Sequence, residues 1–239
     1  MKLEQILFSQ GFGARKLCRL LITRGAVEVQ GAICTDPVAD WNVAAGTNGN
    51  PIEFSVDGVR WQYHAKAYLM LHKPAGYECS QKPKSHPSVY SLLPAPLRTR
   101  DVQSVGRLDQ DTTGMLLFSD DGQFIHRMAS PKHLVPKVYE VKTSETVTPP
   151  QMERLLAGVV LEDSPEPVRA LACTLAGDTL RLVLASGKYH QVKRMLAAVG
   201  NHVEALHRSQ IGELPLPADL AQGRWRWLTP AELALAGCV

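Results

Sequence analysis

The chain has 239 residues, 45% of them hydrophobic, enough for a core in one large domain or in a small domain followed by a larger one. Its formal charge of +3 announces no nucleic-acid partner by itself, but cations gather at both ends: five Lys/Arg against two acids in residues 1–30, and seven against four in residues 181–239. The five cysteines form no C-x-x-C pair, which argues against zinc ribbons and redox dithiols and for a reducing cytoplasm, and no run approaches the ~18 apolar residues of a membrane span.

In chain order, the opening MKLEQILFSQGFGARK carries charge among its apolar positions, unlike a signal peptide. Leu3, Ile6 and Leu7 have the spacing of a short amphipathic helix, closed by Gly11 and Gly13. A second helix is predicted over residues 14–23. It carries Arg15, Lys16 and Arg19 on an arc of about 100°, with Leu17, Leu20 and Leu21 opposite. The stretch AVEVQGAIC then reads as a tight hairpin turning at Gln30-Gly31. The basic arc is either a solvated helix face or a surface for phosphates; the compact helix-helix-hairpin unit behind it favours the second. Residues 41–58 are rich in Gly, Asn and Pro and end in an alternating strand, Ile52, Phe54, Val56. A boundary is expected within residues 58–64, dividing the chain into domains of residues 1–60 and 61–239. Beyond it come strands at AYLMLHKPAGY, GMLLFSD, KVYEVKT and TLRLVLASG, and helices at FIHRMAS, PQMERLLAGV and HQVKRMLAAVG. That mixture predicts an α+β fold on a largely antiparallel sheet. The proline-rich residues 82–96 read as a loop.

The stretch SVGRLDQDTTGMLLFSDDG admits three chemistries. Asp109, Asp111, Thr113, Gly114 and Asp120 fall on calcium-loop positions. However, Met115 to Phe118 is a buried-strand run where a helix should begin, and the last position is Asp instead of Glu. Asp109 and Asp111 could hold a divalent metal for group transfer, yet no phosphate-binding glycine loop accompanies them. The third reading is a single working carboxylate with a nearby cation and an aromatic ring.

The third reading is the one that matches a family. V-G-R-L-D-Q-D-T-T-G-M-L-L-F-S-D-D-G resembles the G-R-L-D signature of ribosomal pseudouridine synthases. L-H-K-P-A-G-Y-E-C-S lies upstream, and P-K-V-Y-E-V and S-G-K-Y-H-Q-V-K-R-M-L-A-A-V-G-N-H-V follow in the family's order. The first thirty residues resemble the αL-type RNA-binding domain first described in a small-subunit ribosomal protein, departing at Ala14 and Gln30, where Ser and Asn are usual. D-D-G-Q-F-I-H-R-M-A-S-P-K-H and the last block point to the branch acting on the small ribosomal subunit.

The resemblance implies a cofactor-independent isomerase with no metal. It would be cytoplasmic and monomeric, would stay off the membrane, and would act on 16S rRNA or a small-subunit assembly intermediate. It would convert the uridine conventionally numbered 516 to pseudouridine. Asp109 takes the role of the essential carboxylate, which could attack the sugar, attack the base or accept a sugar proton; these stay open. Lys193 is the expected cationic partner. Arg194, about 100° round the same helix, cannot face the site equally and is expected to contact RNA. Tyr139 would stack on the uracil, although a core tyrosine of a strand is the plainer reading. Arg107 would fill the gap left by the extruded nucleotide, or else bridge structurally to Asp111. Arg15, Lys16 and Arg19 would bind RNA. His126, His133, His190, His202 and His207 lack metal spacing and read as surface or RNA-facing; Asp111, Asp120 and Asp121 read as turn-formers. The competing functions are a large-subunit rRNA pseudouridine synthase, a non-catalytic ribosome-assembly factor and a metal-dependent transferase.

Overall fold

A computed structural model describes residues 1–43, 51–162 and 164–237. Residues 44–50 of the Gly/Asn-rich segment, with Asp163, Cys238 and Val239, lie outside the described residues. The chain forms two compact units: residues 1–67 with 93–102, and residues 68–92 with 103–239. The first unit therefore runs past residue 60 and takes back a later segment.

In the first unit, α1 (Leu3–Ser9) and α2 (Arg15–Thr23) precede β1 (Val27–Val29), β2 (Ala32–Ile33), β3 (Glu53–Val56) and β4 (Val59–Gln62). The strands form an antiparallel sheet in the order β2-β1-β3-β4. Gln30 and Gly31 both have positive φ, 53° and 83°, the backbone a two-residue hairpin turn needs. Leu3, Ile6 and Leu7 pack with Cys18, Leu21 and Ile22, and with the inward residues of β1 and β3. This corrects the expected face of α2. Leu17 and Leu20 are 46% and 57% exposed, because the i, i+3, i+4 stripe that faces the sheet is Cys18, Leu21, Ile22.

The returning segment carries α3 (Ala95–Thr99), which begins at the end of the expected loop of residues 82–96. It closes on buried Gln10, whose Oε1 accepts from Arg100 Nη1 at 3.0 Å and from the His64 amide at 3.1 Å. Arg100 Nη2 also donates to the Ala65 carbonyl at 3.0 Å. Gly11 sits at φ 87°, where a Cβ would fall 2.0 Å from the Pro96 carbonyl oxygen, so the contact requires glycine.

The second unit contains β5 (Tyr68–Lys73), β6 (Gln103–Ser104), β7 (Thr113–Ser119), α4 (Gly122–Ala129), β8 (Lys137–Thr143), α5 (Pro149–Ala157), β9 (Val159–Leu161) and β10 (Ser164–Val168). It continues with β11 (Ala172–Ala176), β12 (Thr179–Leu184), α6 (Gln191–Ala198), β13 (Val203–Ile211), β14 (Leu214–Pro215), β15 (Trp225–Trp227) and α7 (Pro230–Leu235). The main sheet runs β11-β12-β8-β13-β7-β5-β15, with β14 on β13 and β6 on β7. Its pairs are antiparallel except β13 with β7. The sheet is antiparallel-rich, as the strand pattern suggests. Met115 to Phe118 are all buried, so β7 is covered on both faces, which is why it reads as a continuous apolar run. Among the described residues no helix is long and apolar enough to cross a membrane.

Candidate active site

Asp109 lies on the loop joining β6 to β7, and a buried lysine fixes that loop from beneath. Lys73, the last residue of β5, is fully buried. Its ammonium donates to the carbonyls of Pro74 (3.1 Å), Gln110 (3.1 Å) and Thr112 (2.8 Å). Burial pulls its pKa below the ordinary lysine range. The Gly76 amide donates to the same Gln110 carbonyl at 2.8 Å, and the Leu108 amide to Cys79 Sγ at 3.5 Å. At the loop's far end Gly114, φ 109°, lets β7 approach β13: a Cβ there would lie 2.3 Å from the Arg208 carbonyl oxygen. Strand, cation and glycine together leave the Asp109 backbone little freedom.

The N-terminal turn of α6 faces that loop. Lys193 Nζ lies 3.8 Å from Asp109 and donates to both oxygens of Asp111 at 2.8 and 2.7 Å. His190, at the N-cap position with φ 48°, places Nε2 3.4 Å from the other Asp109 oxygen. A left-handed histidine is an uncommon backbone state, and here it turns the ring toward the carboxylate. A lysine in a helix's first turn opposes the helix dipole, and the two aspartates offset this. Burial pushes the Asp111 carboxyl up, but the Lys193 hydrogen bonds and charge outweigh it and hold the group below the usual carboxylate range. Asp111, expected only to shape a turn, is thus the main partner of Lys193, and Arg107 is not bridged to it. His190 is likewise more than a surface histidine. Half-buried His207 bonds Thr113 Oγ1 at 2.9 Å.

Asp109, Asp111, His190, Lys193 and Arg107 line an open cavity of about 660 Å³. A smaller cavity of about 60 Å³ joins Asp109 to Tyr139, Leu184 and Leu206. Tyr139 is a buried residue of β8, paired across the sheet with Leu182 and Arg208. Arg107 is exposed and makes no ion pair among the described residues. Arg194 instead donates to the Tyr189 carbonyl at 3.1 Å. At the rim, Tyr189 is 66% exposed and stacks on His190 with ring centroids 3.8 Å apart.

Glu78 lines the same cavity; its carboxylate accepts the amides of Lys84, Ser85 and His86 at 2.8–3.0 Å, which lowers its pKa and shapes the loop carrying Lys82 and Lys84. Among the described residues no three His, Cys, Asp or Glu side chains are grouped to hold a metal ion.

The expected RNA-binding residues of α2 belong to the first unit and are exposed. Arg19 is bridged to Glu4 at 2.6 Å, and the Arg15 guanidinium sits 5.3 Å from the Phe8 ring centroid.

Residues 67–198 match the RNA pseudouridylate synthase family. The chain is 38% identical to the ribosomal small subunit pseudouridine synthase A of Escherichia coli, over 98% of this chain and 99% of that one. It is 37% identical to the enzyme of the same name from Yersinia pestis, over 98% and 95%. A solved structure described as a pseudouridylate synthase superposes with a TM-score of 0.68 at 32% identity, covering 99% of each chain. An aspartate flanked by a lysine and a histidine, a tyrosine lining the same cavity and this similarity along nearly the whole chain agree: the chain belongs to the RNA pseudouridylate synthase family.

Proposed function

We propose that this enzyme isomerises one uridine of small-subunit rRNA, the position conventionally numbered 516 in 16S rRNA, during subunit maturation. The observation that carries the chemistry is Asp109, with its two oxygens 3.4 and 3.8 Å from His190 and Lys193, in a cavity that Tyr139 also lines. The names of the relatives above support the substrate.

The reaction breaks the C1′–N1 bond, turns the base and joins C1′ to C5; the C5 proton leaves and N1 ends protonated. Atoms and electrons balance within one nucleotide, so the reaction calls for no cofactor. Asp109 acts as the carboxylate that engages the detached or detaching uridine. Lys193 and His190 offset the cost of holding that charge away from bulk water. Tyr139 stacks on the uracil. Arg107, free of ion pairs, takes the place of the extruded nucleotide in the RNA stack. The first unit, read as an αL-type domain, adds RNA affinity through Arg15, Lys16 and Arg19, and Arg194 adds a contact beside the site. The enzyme works as a cytoplasmic monomer.

Tritium release from C5-labelled uridine, in small-subunit rRNA, in partly assembled particles and in large-subunit rRNA, tests the reading. Wild type should release tritium and Asp109→Asn should fall at least about 10³-fold, as expected when a covalent or proton-transfer group is lost. Release only from large-subunit rRNA would overturn the substrate assignment, and full activity of Asp109→Asn would overturn the role of the carboxylate.

A further inference from the structure

A third cavity, about 80 Å³, shares Arg107, Tyr139, Ser186 and Gly187 with the cavity beside Asp109. Two cations that the proposed chemistry does not use reach it: Lys137 from β8 and Arg208 from β13. No carboxylate lines it.

Arg208 is only 4% exposed. Its Nε donates to the Met115 carbonyl at 2.9 Å, which fixes the guanidinium plane, while its buried Nη2 has no hydrogen-bond partner among the described residues. Among the described residues the Lys137 ammonium reaches only the Met128 carbonyl, at 3.5 Å. An unmet buried donor and two neighbouring cations without a counter-ion are both unfavourable. The strain is visible in Lys137, whose pKa burial, and then the Arg208 charge, lower to about 8. The backbone leaves room for an occupant: a Cβ added to Gly106 or Gly187 would meet nothing within 4 Å.

A neutral base or sugar would leave both cations uncompensated. A phosphate offsets both charges, since one anion can sit against the guanidinium edge that reaches the cavity and the lysine point charge at once. We propose that this cavity is a phosphate-binding subsite formed by Arg208 and Lys137, and that its occupant is a phosphodiester adjoining the target uridine. The choice of occupant rests on the RNA-modifying function above. The shared walls, Arg107 and Tyr139, put the subsite within one nucleotide of Asp109.

The test measures binding of short rRNA hairpins in which each phosphodiester flanking the target uridine is replaced in turn by a neutral methylphosphonate. With wild type, one of the two replacements should weaken binding about tenfold, the usual loss for a charged hydrogen bond. Lys137→Met should weaken binding of the unmodified hairpin by a similar factor and be indifferent to that methylphosphonate. Lys137→Arg should restore both the affinity and the sensitivity. Inorganic phosphate, titrated against chloride at equal ionic strength, separates the sources. Lys137-dependent phosphate binding without the methylphosphonate effect would keep the subsite and assign it a free anion. Identical methylphosphonate losses in wild type and Lys137→Met, with no Lys137-dependent phosphate binding, would overturn the proposal. Binding is read here and turnover is not, so this result is independent of whether tritium is released.

Discussion

The two units use positive charge in opposite ways. The first carries its cations on the outside of α2, in solvent, steadied by weak surface partners such as Glu4 for Arg19 and the Phe8 ring for Arg15. The second draws cations inward. Lys73 is fully buried among carbonyl oxygens, Arg208 is almost as buried, and Lys193 is shared between two aspartates. Exposed cations supply attraction that salt screens and that tolerates small movements. Buried cations hold particular atoms in place and tolerate almost none.

The largest expected effect comes from Lys73→Met. It leaves the carbonyls of Pro74, Gln110 and Thr112 without their shared donor, and should destabilise the second unit by about 3 kcal/mol in urea unfolding. In the fraction that folds, turnover should drop about 100-fold as the Asp109 loop loses its brace. Full activity at wild-type stability would break the contrast from the inside.

From the outside, Arg15→Ala with Lys16→Ala should leave kcat unchanged, weaken RNA binding and reduce the slope of log affinity against log salt by about 2. Adding Arg19→Ala should contribute less, because Glu4 already engages that guanidinium. An unchanged slope would remove α2 from the RNA interface.

The smallest effect concerns pH. Burial, and then the Arg100 charge, lower the His64 pKa from 6.5 to about 4. Between those values the unfolded chain binds a proton that the folded first unit refuses, so the unit loses stability as pH falls through that window. Its melting temperature should drop by roughly 5 °C more in wild type than in His64→Gln. Equal acid sensitivity would assign the loss to other groups.

Much of the candidate site is legible because its residues lie in short contiguous blocks, and the fold brings Asp109, Tyr139 and Lys193 from three of them to two adjoining cavities. What stayed hidden depends on folding. Lys73 has no legible role in L-H-K-P-A-G-Y, since nothing local shows that a lysine will be buried against carbonyls from residues far along the chain. His190 looked like a surface histidine because its left-handed backbone, which aims it at Asp109, has no signature in residue type. The central strand β13 is not legible in the sequence: its register shifts between Val203 and Ala205 and again between Arg208 and Gln210, which breaks the two-residue alternation that marks a strand. Helix α2 has a wide apolar arc of Leu17, Cys18, Leu20, Leu21 and Ile22, and the wheel alone does not say which part of that arc meets the sheet.

The return of residues 93–102 to the first unit has a consequence for synthesis. Gly11, Gln10 and Ala65 find their partners, Pro96 and Arg100, only after the first strand of the second unit has already been made. During translation the amino-terminal unit must wait, incomplete, while β5 emerges without the strands it will pair with. The two units are therefore laced together in their order of assembly, and a ribosome making this chain releases neither as a finished piece before the other has begun.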